Sequence, residues 1–289
     1  MLDIHHFSYG LLTPLLAYTM SVTGCLLGLQ CAARARAGEG RAVWITGASI
    51  SIGGTGIWVM HFIAMLGFSI RGTEIRYDVP LTLLSAITAM VVVGIGLAIV
   101  IRPQPTLVGL LTGGAITGIG VGAMHYTGMY AMKSDATITY DAKLVTMSMV
   151  IAVIAAIVAL WFTLRVKGFP ATVAAALIMG IAVCGMHYTG MASMHAHRND
   201  HAMPPSGTGA MDLIAPVIVA ISVVSMLLLI SVSLTDIDRS IDLPPLRLSN
   251  VRTENTAAHK DSIAQPEPLE PATVYWPTIE VSEDRARSK

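Results

Sequence analysis

Seven apolar runs, each long enough to cross a hydrocarbon layer, constrain this chain more than any other feature. They occupy residues 11–32, 42–67, 80–101, 106–132, 144–164, 170–194 and 213–234. A membrane helix needs about 20 apolar residues, because each adds 1.5 Å to a span of roughly 30 Å. Backbone N–H and C=O groups must pair internally in lipid, so open runs of this length form helices. The expected fold class is therefore all-α: a polytopic membrane protein with seven transmembrane helices. The composition agrees, being 54% hydrophobic and 12% charged, about half the charged share of an ordinary soluble chain. A formal net charge of zero offers no basic signature for nucleic acid. Cys25, Cys31 and Cys184 all lie in apolar runs and form no CxxC pair, which argues against a disulfide framework.

Charge placement sets an expected orientation. Arg34, Arg36 and Arg41 follow the first run, Arg102 the third, Arg165 and Lys167 the fifth, and Arg239 the seventh. The opposite loops are mixed, with Arg71, Glu74, Arg76 and Asp78 in one and Lys133, Asp135, Asp141 and Lys143 in another. The positive-inside rule then puts the N-terminus, residues 1–10, outside and the C-terminus in the cytoplasm. Residues 1–10 contain no Lys or Arg, and the first run is too long for a signal h-region, so it reads as a retained helix. Residues 11–234 form the membrane domain. Residues 235–289 are polar, mixed in charge and contain six prolines, and read as a disordered cytoplasmic tail. The tail is too short and too poor in apolar residues for a catalytic output domain, so no enzymatic activity is expected.

One hexapeptide recurs inside these helices. Met-His-Tyr-Thr-Gly-Met stands at residues 124–129 and again at 186–191, and a looser copy, Met-His-Phe-Ile-Ala-Met, stands at 60–65. The period makes it an internal repeat. The repeating unit is a helix pair with the motif on its second helix; three pairs and a closing helix make seven. With the N-terminus outside, all three motifs fall in the last third of their helices, near the outer face. The other histidines share that side: His5 and His6 before the first helix, and His195, His197 and His201 after the sixth. His259, in the tail, is the exception.

Residues i, i+3, i+4 and i+7 share one helical face. The sixth helix thereby presents Cys184, His187, Met191 and Met194 as a stripe. The fourth presents Gly122, His125, Met129 and Met132, and the second Trp58, His61, Met65 and Phe68. Met60, Met124 and Met186, each one residue before its histidine, point about 100° away and suit packing against neighbouring helices. Imidazole suits copper, zinc, iron and nickel, and thioether favours Cu(I). No Asp or Glu lies in these helices, against a hard-cation site. Copper is the expected metal. Blander readings compete: a Met stripe is more often core packing, and a single buried His is often a satisfied packing residue. Three histidines at one depth, each flanked by Met, favour a site. Tyr126 and Tyr188 read as interfacial anchors or donors to the histidines, and Thr127 and Thr189 as bonded to their own helix backbone. The Gly114–Gly118–Gly122 ladder reads as a close-packing surface that lets the motif helices approach. His195, His197, His201 and Met203 form a second, outer cluster, read as solvated loop or as a metal-delivery site.

The hexapeptides resemble the signature of the MHYT family of bacterial integral membrane sensor domains, over roughly residues 9–234. The resemblance implies a bacterial plasma-membrane location and a copper site near the outer face. It also implies sensing of a diatomic gas (O2, CO or NO), with a cytoplasmic signalling partner. Carried over by position, the implied ligand residues are Met60, His61 and Met65; Met124, His125 and Met129; and Met186, His187 and Met191. The first copy departs from the pattern at Phe62, Ile63 and Ala64. Competing functions are a redox or haem-type electron carrier using the same histidines, and a copper-handling protein. A retinal photoreceptor needs a lysine in the last helix, and residues 213–234 have none.

Overall fold

The computed structural model describes residues 2–38, 40–199 and 205–241, the last nine as backbone alone. Seven helices among them are long and apolar enough to cross a membrane. They are α1 (Leu12–Ala37), α2 (Arg41–Leu66), α3 (Val79–Val100), α4 (Leu107–Ala131), α5 (Ala142–Arg165), α6 (Phe169–Met191) and α7 (Ala210–Ile241). Local chemistry sets the ends. The carboxylates of Asp78 and Asp141 and the hydroxyl of Thr106 accept from backbone N–H groups in the first turns of α3, α5 and α4. Proline stands in the first turn of α3 and of α6, where its missing N–H is no loss. The middle of α2, Ile50–Val59, is wound as a π-helix, and its glycines let neighbours close in. A β-carbon on Gly53 would lie 2.6 Å from the Ala89 carbonyl of α3.

Helices α1 to α6 pack each on the next, and α6 returns to α1, which closes a six-membered ring. The seventh helix stands outside this ring. It lies along α2, with Leu228 against Gly47, Ile221 against Gly54, and a 2.6 Å hydrogen bond between the Thr55 and Ser225 hydroxyls. Covered in this way, the most apolar stretch of α2 is 83% buried, against 17% for that of α7.

The Gly114–Gly118–Gly122 ladder has a different partner from the one expected. β-carbons at these positions would strike Ile157, Val153 and Met149, all on α5. The ladder seats the neighbouring outer helix and does not bring the motif helices together. The i, i+4 spacing specifies a flat strip, but sequence alone does not say which helix fills it.

Small strands at the motif-bearing end knit the connections together, a feature the helical pattern does not announce. They are β1 (Ile4–His5), β2 (Ser69–Ile70), β3 (Arg76–Tyr77), β4 (Met132–Lys133), β5 (Thr137–Tyr140), β6 (Met194–His197) and β7 (Thr208–Gly209). All pairings are antiparallel: β1 with β2, β3 with both β4 and β7, and β5 with β6. Every pairing joins two different connections, so the N-terminal segment and the three loops form one cap. The cap also corrects two helix boundaries. Met132 and Met194 belong to β4 and β6, not to the helical stripes, because α4 ends at Ala131 and α6 at Met191.

Arginines organise the opposite end. Arg34 donates to the Val232 carbonyl of α7, Arg36 to the Leu164 and Val166 carbonyls at the end of α5, and Arg41 to the Ile101 carbonyl at the end of α3. The Leu164, Val166 and Ile101 carbonyls stand at or just past helix C-termini, where carbonyls lack helical partners and carry partial negative charge. One basic segment thus ties down three helices.

Candidate metal centre

Each motif helix brings its histidine to the ring interior, and the three imidazoles meet. His61, His125 and His187 are each 1% exposed. Their ring centroids lie 4.9, 4.9 and 5.1 Å apart, with the planes crossed at 80–87°. The Nδ1 atom of His61 is 3.0 Å from that of His187 and 3.1 Å from that of His125. One ligand atom from each ring lies within 4.8 Å of the other two. Leu66, Ala131 and Met191 end the three helices four to six residues beyond the histidines, so the triad sits about 6–9 Å inside the cap.

The outer edges of the rings are unusual. All three Nε2 atoms are buried without a hydrogen-bond partner. For two of them the neighbour is a motif glycine. The His61 ring faces Gly128 of α4, where a β-carbon would come within 2.5 Å of Nε2, and the His125 ring likewise faces Gly190 of α6. In the two full motif copies this glycine stands three residues after the histidine. Each seats the ring of the preceding repeat, and Ala64 holds the corresponding position on α2. The role of Gly128 and Gly190 is not evident before folding. The one signal for it is that both exact copies keep glycine at the same offset from histidine.

The rest of the motif divides. Met65, Met129 and Met191, one turn beyond the histidines on the same faces, are buried at 0–3% exposure. Met60 packs apart with Ala17 and Ala64, beside Cys184 and Tyr188, and Met186 lines an apolar cavity. Met124 is buried in the main core, as are Met132 and Met194 from the cap. Cys184 is half-buried and does not join the histidine cluster. The Tyr126 hydroxyl lies 2.6 Å from that of Ser148 on α5. It ties two helices together and neither orients an imidazole nor stands at an exposed anchor position. The Thr189 hydroxyl donates to the Gly185 carbonyl at 2.7 Å, as expected of a helical threonine. Of the outer histidines, His195 and His197 lie on β6 opposite Thr139 and Thr137, and His201 and Met203 lie outside the described residues, as does His259.

These residues fit a metal. A neutral imidazole has one N–H and one lone pair, so three Nδ1 atoms at such distances cannot all be satisfied by one another. A shared ion would satisfy all three. Ligand bonds of about 2.0–2.1 Å in tetrahedral geometry space nitrogens by roughly 3.3–3.4 Å, close to the two short separations here. Among the described residues no carboxylate joins the cluster, which leaves a neutral, nitrogen-rich donor set with thioethers nearby.

A ring of helices able to cross a membrane, with a buried histidine triad built from three sequence repeats, defines a repeat-built membrane domain. The chain belongs to the MHYT family, described as a bacterial signalling protein N-terminal repeat, which matches at residues 54–113, 118–176 and 180–238. The family unit thus begins inside a motif helix and runs through the helix that follows. The chain is 36% identical over 193 residues to the bifunctional diguanylate cyclase/cyclic di-GMP phosphodiesterase MucR of Pseudomonas aeruginosa, covering 64% of this chain and 28% of that protein. It is 37% identical over 147 residues to the cyclic di-GMP phosphodiesterase NbdA of the same organism, covering 49% and 19%. It is 32% identical over 213 residues to the signaling protein YkoW of Bacillus subtilis, covering 70% and 26%. The chain therefore spans less than a third of the length of these relatives. No solved structure matches it.

Proposed function

We propose that this chain is the sensing part of a bacterial plasma-membrane signalling system, with copper held by His61, His125 and His187 near the outer face. The observation that carries the reading is the meeting of three Nδ1 atoms from three repeats, buried and free of carboxylates. Imidazole with adjacent thioether favours Cu(I), and a site inside the membrane favours the ion of lower charge. Met65, Met129 and Met191 are the thioethers on the histidine faces. Bound Cu(I) would supply a soft, redox-active centre to which a diatomic gas (O2, CO or NO) attaches or through which redox state is read. The imidazoles touch edge to face and leave no slot for a porphyrin, so the packing gives no support to a haem carrier.

The reading is of a receptor, not a catalyst. The N-terminus lies outside and the C-terminus in the cytoplasm, supported by the arginines gathered at the end opposite the motifs. MucR and NbdA are named for cyclic di-GMP activities, and that makes cyclic-dinucleotide enzymes the first class of cytoplasmic partner to examine. The test is metal analysis with an optical spectrum of the purified protein. Copper is expected near one per chain, and His125→Ala with His187→Ala should abolish it. A double variant that keeps full copper would move the metal elsewhere, with His195, His197 and His201 the next candidates.

A further inference from the structure

A cavity of about 50 Å³ lies inside the helix ring, directly inward of the histidine triad. Its wall includes Ile57, Val121 and Val183, the residues four positions before His61, His125 and His187, together with Met186. One helical turn therefore separates the cavity from all three imidazoles. The void has a sequence origin. Ala152, Ala155, Ala156 and Ala159 line it from α5, at the i, i+3, i+4, i+7 spacing of one helical face. Aligning the Asp78 and Asp141 caps of α3 and α5, with Ser85 falling on Ser148 and Ala89 on Ala152, sets Ala155 and Ala156 opposite Val92 and Val93. The α3 positions carry two more carbons each than the alanines of α5, and Val93 itself lines the cavity from the α3 side. The other face of α5 carries exposed Ile154 and Val158, and Ala155, Ala159, Ala182 and Val183 in the lining are only half-buried, so the cavity lies within one helix of the lipid.

The cavity is also dry by construction. Seating one water takes roughly 10–15 Å³ and two to four polar partners, and the volume suffices while the partners do not. The Thr117 hydroxyl donates to the Val92 carbonyl at 3.3 Å, and the Thr163 hydroxyl to the Leu160 carbonyl at 2.7 Å. The remaining lining is aliphatic or thioether. An apolar void of this kind stays empty of water and takes small uncharged guests.

We propose that this cavity is a binding site for one small uncharged diatomic molecule, a way station from which the guest reaches the triad. Its location rests on the cavity geometry, and only the identity of the guest rests on the sensor reading. The probe is xenon, applied to the full chain in nanodiscs and followed by 129Xe NMR or by diffraction under xenon pressure. Xenon should occupy the space between Val121 and Ala156. Ala155→Val with Ala156→Val, which copies α3, should abolish that occupancy. It should leave copper content unchanged and slow carbon monoxide rebinding to the reduced metal after photolysis by at least tenfold. The single Ala156→Val variant, with two added methyl groups, should give an intermediate effect if the double variant fails to fold. Absence of xenon from this space would overturn the proposal even if the protein senses a gas. Unchanged carbon monoxide kinetics in a variant that has lost xenon would overturn it as well. Failure of the wild-type protein to hold copper would instead refute the sensor reading, and the xenon occupancy would still decide the cavity.

Discussion

Replacing Gly190 by alanine should weaken copper binding at the proposed centre without dismantling the bundle. An added β-carbon would overlap the His125 ring, with Cδ2 and Cε1 at 2.9 and 3.2 Å and Nε2 closer still. Ordinary contact begins near 3.4 Å, so the imidazole must retreat by about 1 Å. A nitrogen placed roughly 2.0 Å from a metal cannot be pushed inward or turned aside by that much and keep its bond. Overpacking of this kind costs about 1–3 kcal/mol, which at 1.4 kcal/mol per decade is roughly a 5- to 150-fold loss of copper affinity. Gly→Ala inside a helix favours helix formation by about 0.5–1 kcal/mol, so global stability should change little. Gly185 is the control: it lies on the same helix and a β-carbon there meets nothing within 4 Å. Copper affinity by competition titration, with thermal unfolding alongside, should rank Gly185→Ala near wild type, Gly128→Ala weaker and Gly190→Ala weakest. Equal affinities for Gly190→Ala and Gly185→Ala would refute the idea that the motif glycine seats the neighbouring imidazole.

Three further outcomes follow from the geometry. Tyr126→Phe removes the hydroxyl bond to Ser148 and should lower stability by about 1 kcal/mol while copper content holds; loss of copper would instead place that hydroxyl in the metal site. His6 is half-buried against Phe68, with centroids 5.7 Å apart, and desolvation lowers its pKa from 6.5. The unfolded chain then takes up the proton first, so the stability of the cap falls as pH drops below about 6.5. A smaller protection factor of the β1 amides at pH 5 than at pH 7, with the intrinsic pH dependence of exchange divided out and the drop absent in His6→Phe, would register this; a pH-independent protection factor would remove it. A reporter fused at Lys289 should be active only in the cytoplasm, and activity outside would invert the orientation and put the triad at the inner face.

Much of this architecture was legible because membrane insertion is a local rule. Length and apolarity alone mark a helix in lipid, and all seven expected spans correspond to observed helices. The equal depth of His61, His125 and His187 was legible for a similar reason: a repeat copied along the chain, with regular helix pairs, returns each copy to the same height. The residue-level boundaries at Met132 and Met194 were not, because apolar character continues past the last helical turn into strands whose partners lie in other loops.

What the sequence by itself determined was the class, the span count and the identity of three histidines as one recurring element. Only the tertiary structure decided which faces met. It turned the glycine ladder toward α5, laid α7 along α2, and joined four separate segments into a cap. It also gave Gly128 and Gly190 their role. Helical periodicity fixes which residues share a face but not which neighbour that face receives, since in lipid every apolar surface is equally content until side chains interlock. The choice among neighbours is made by shape, and shape exists only once all the helices are together.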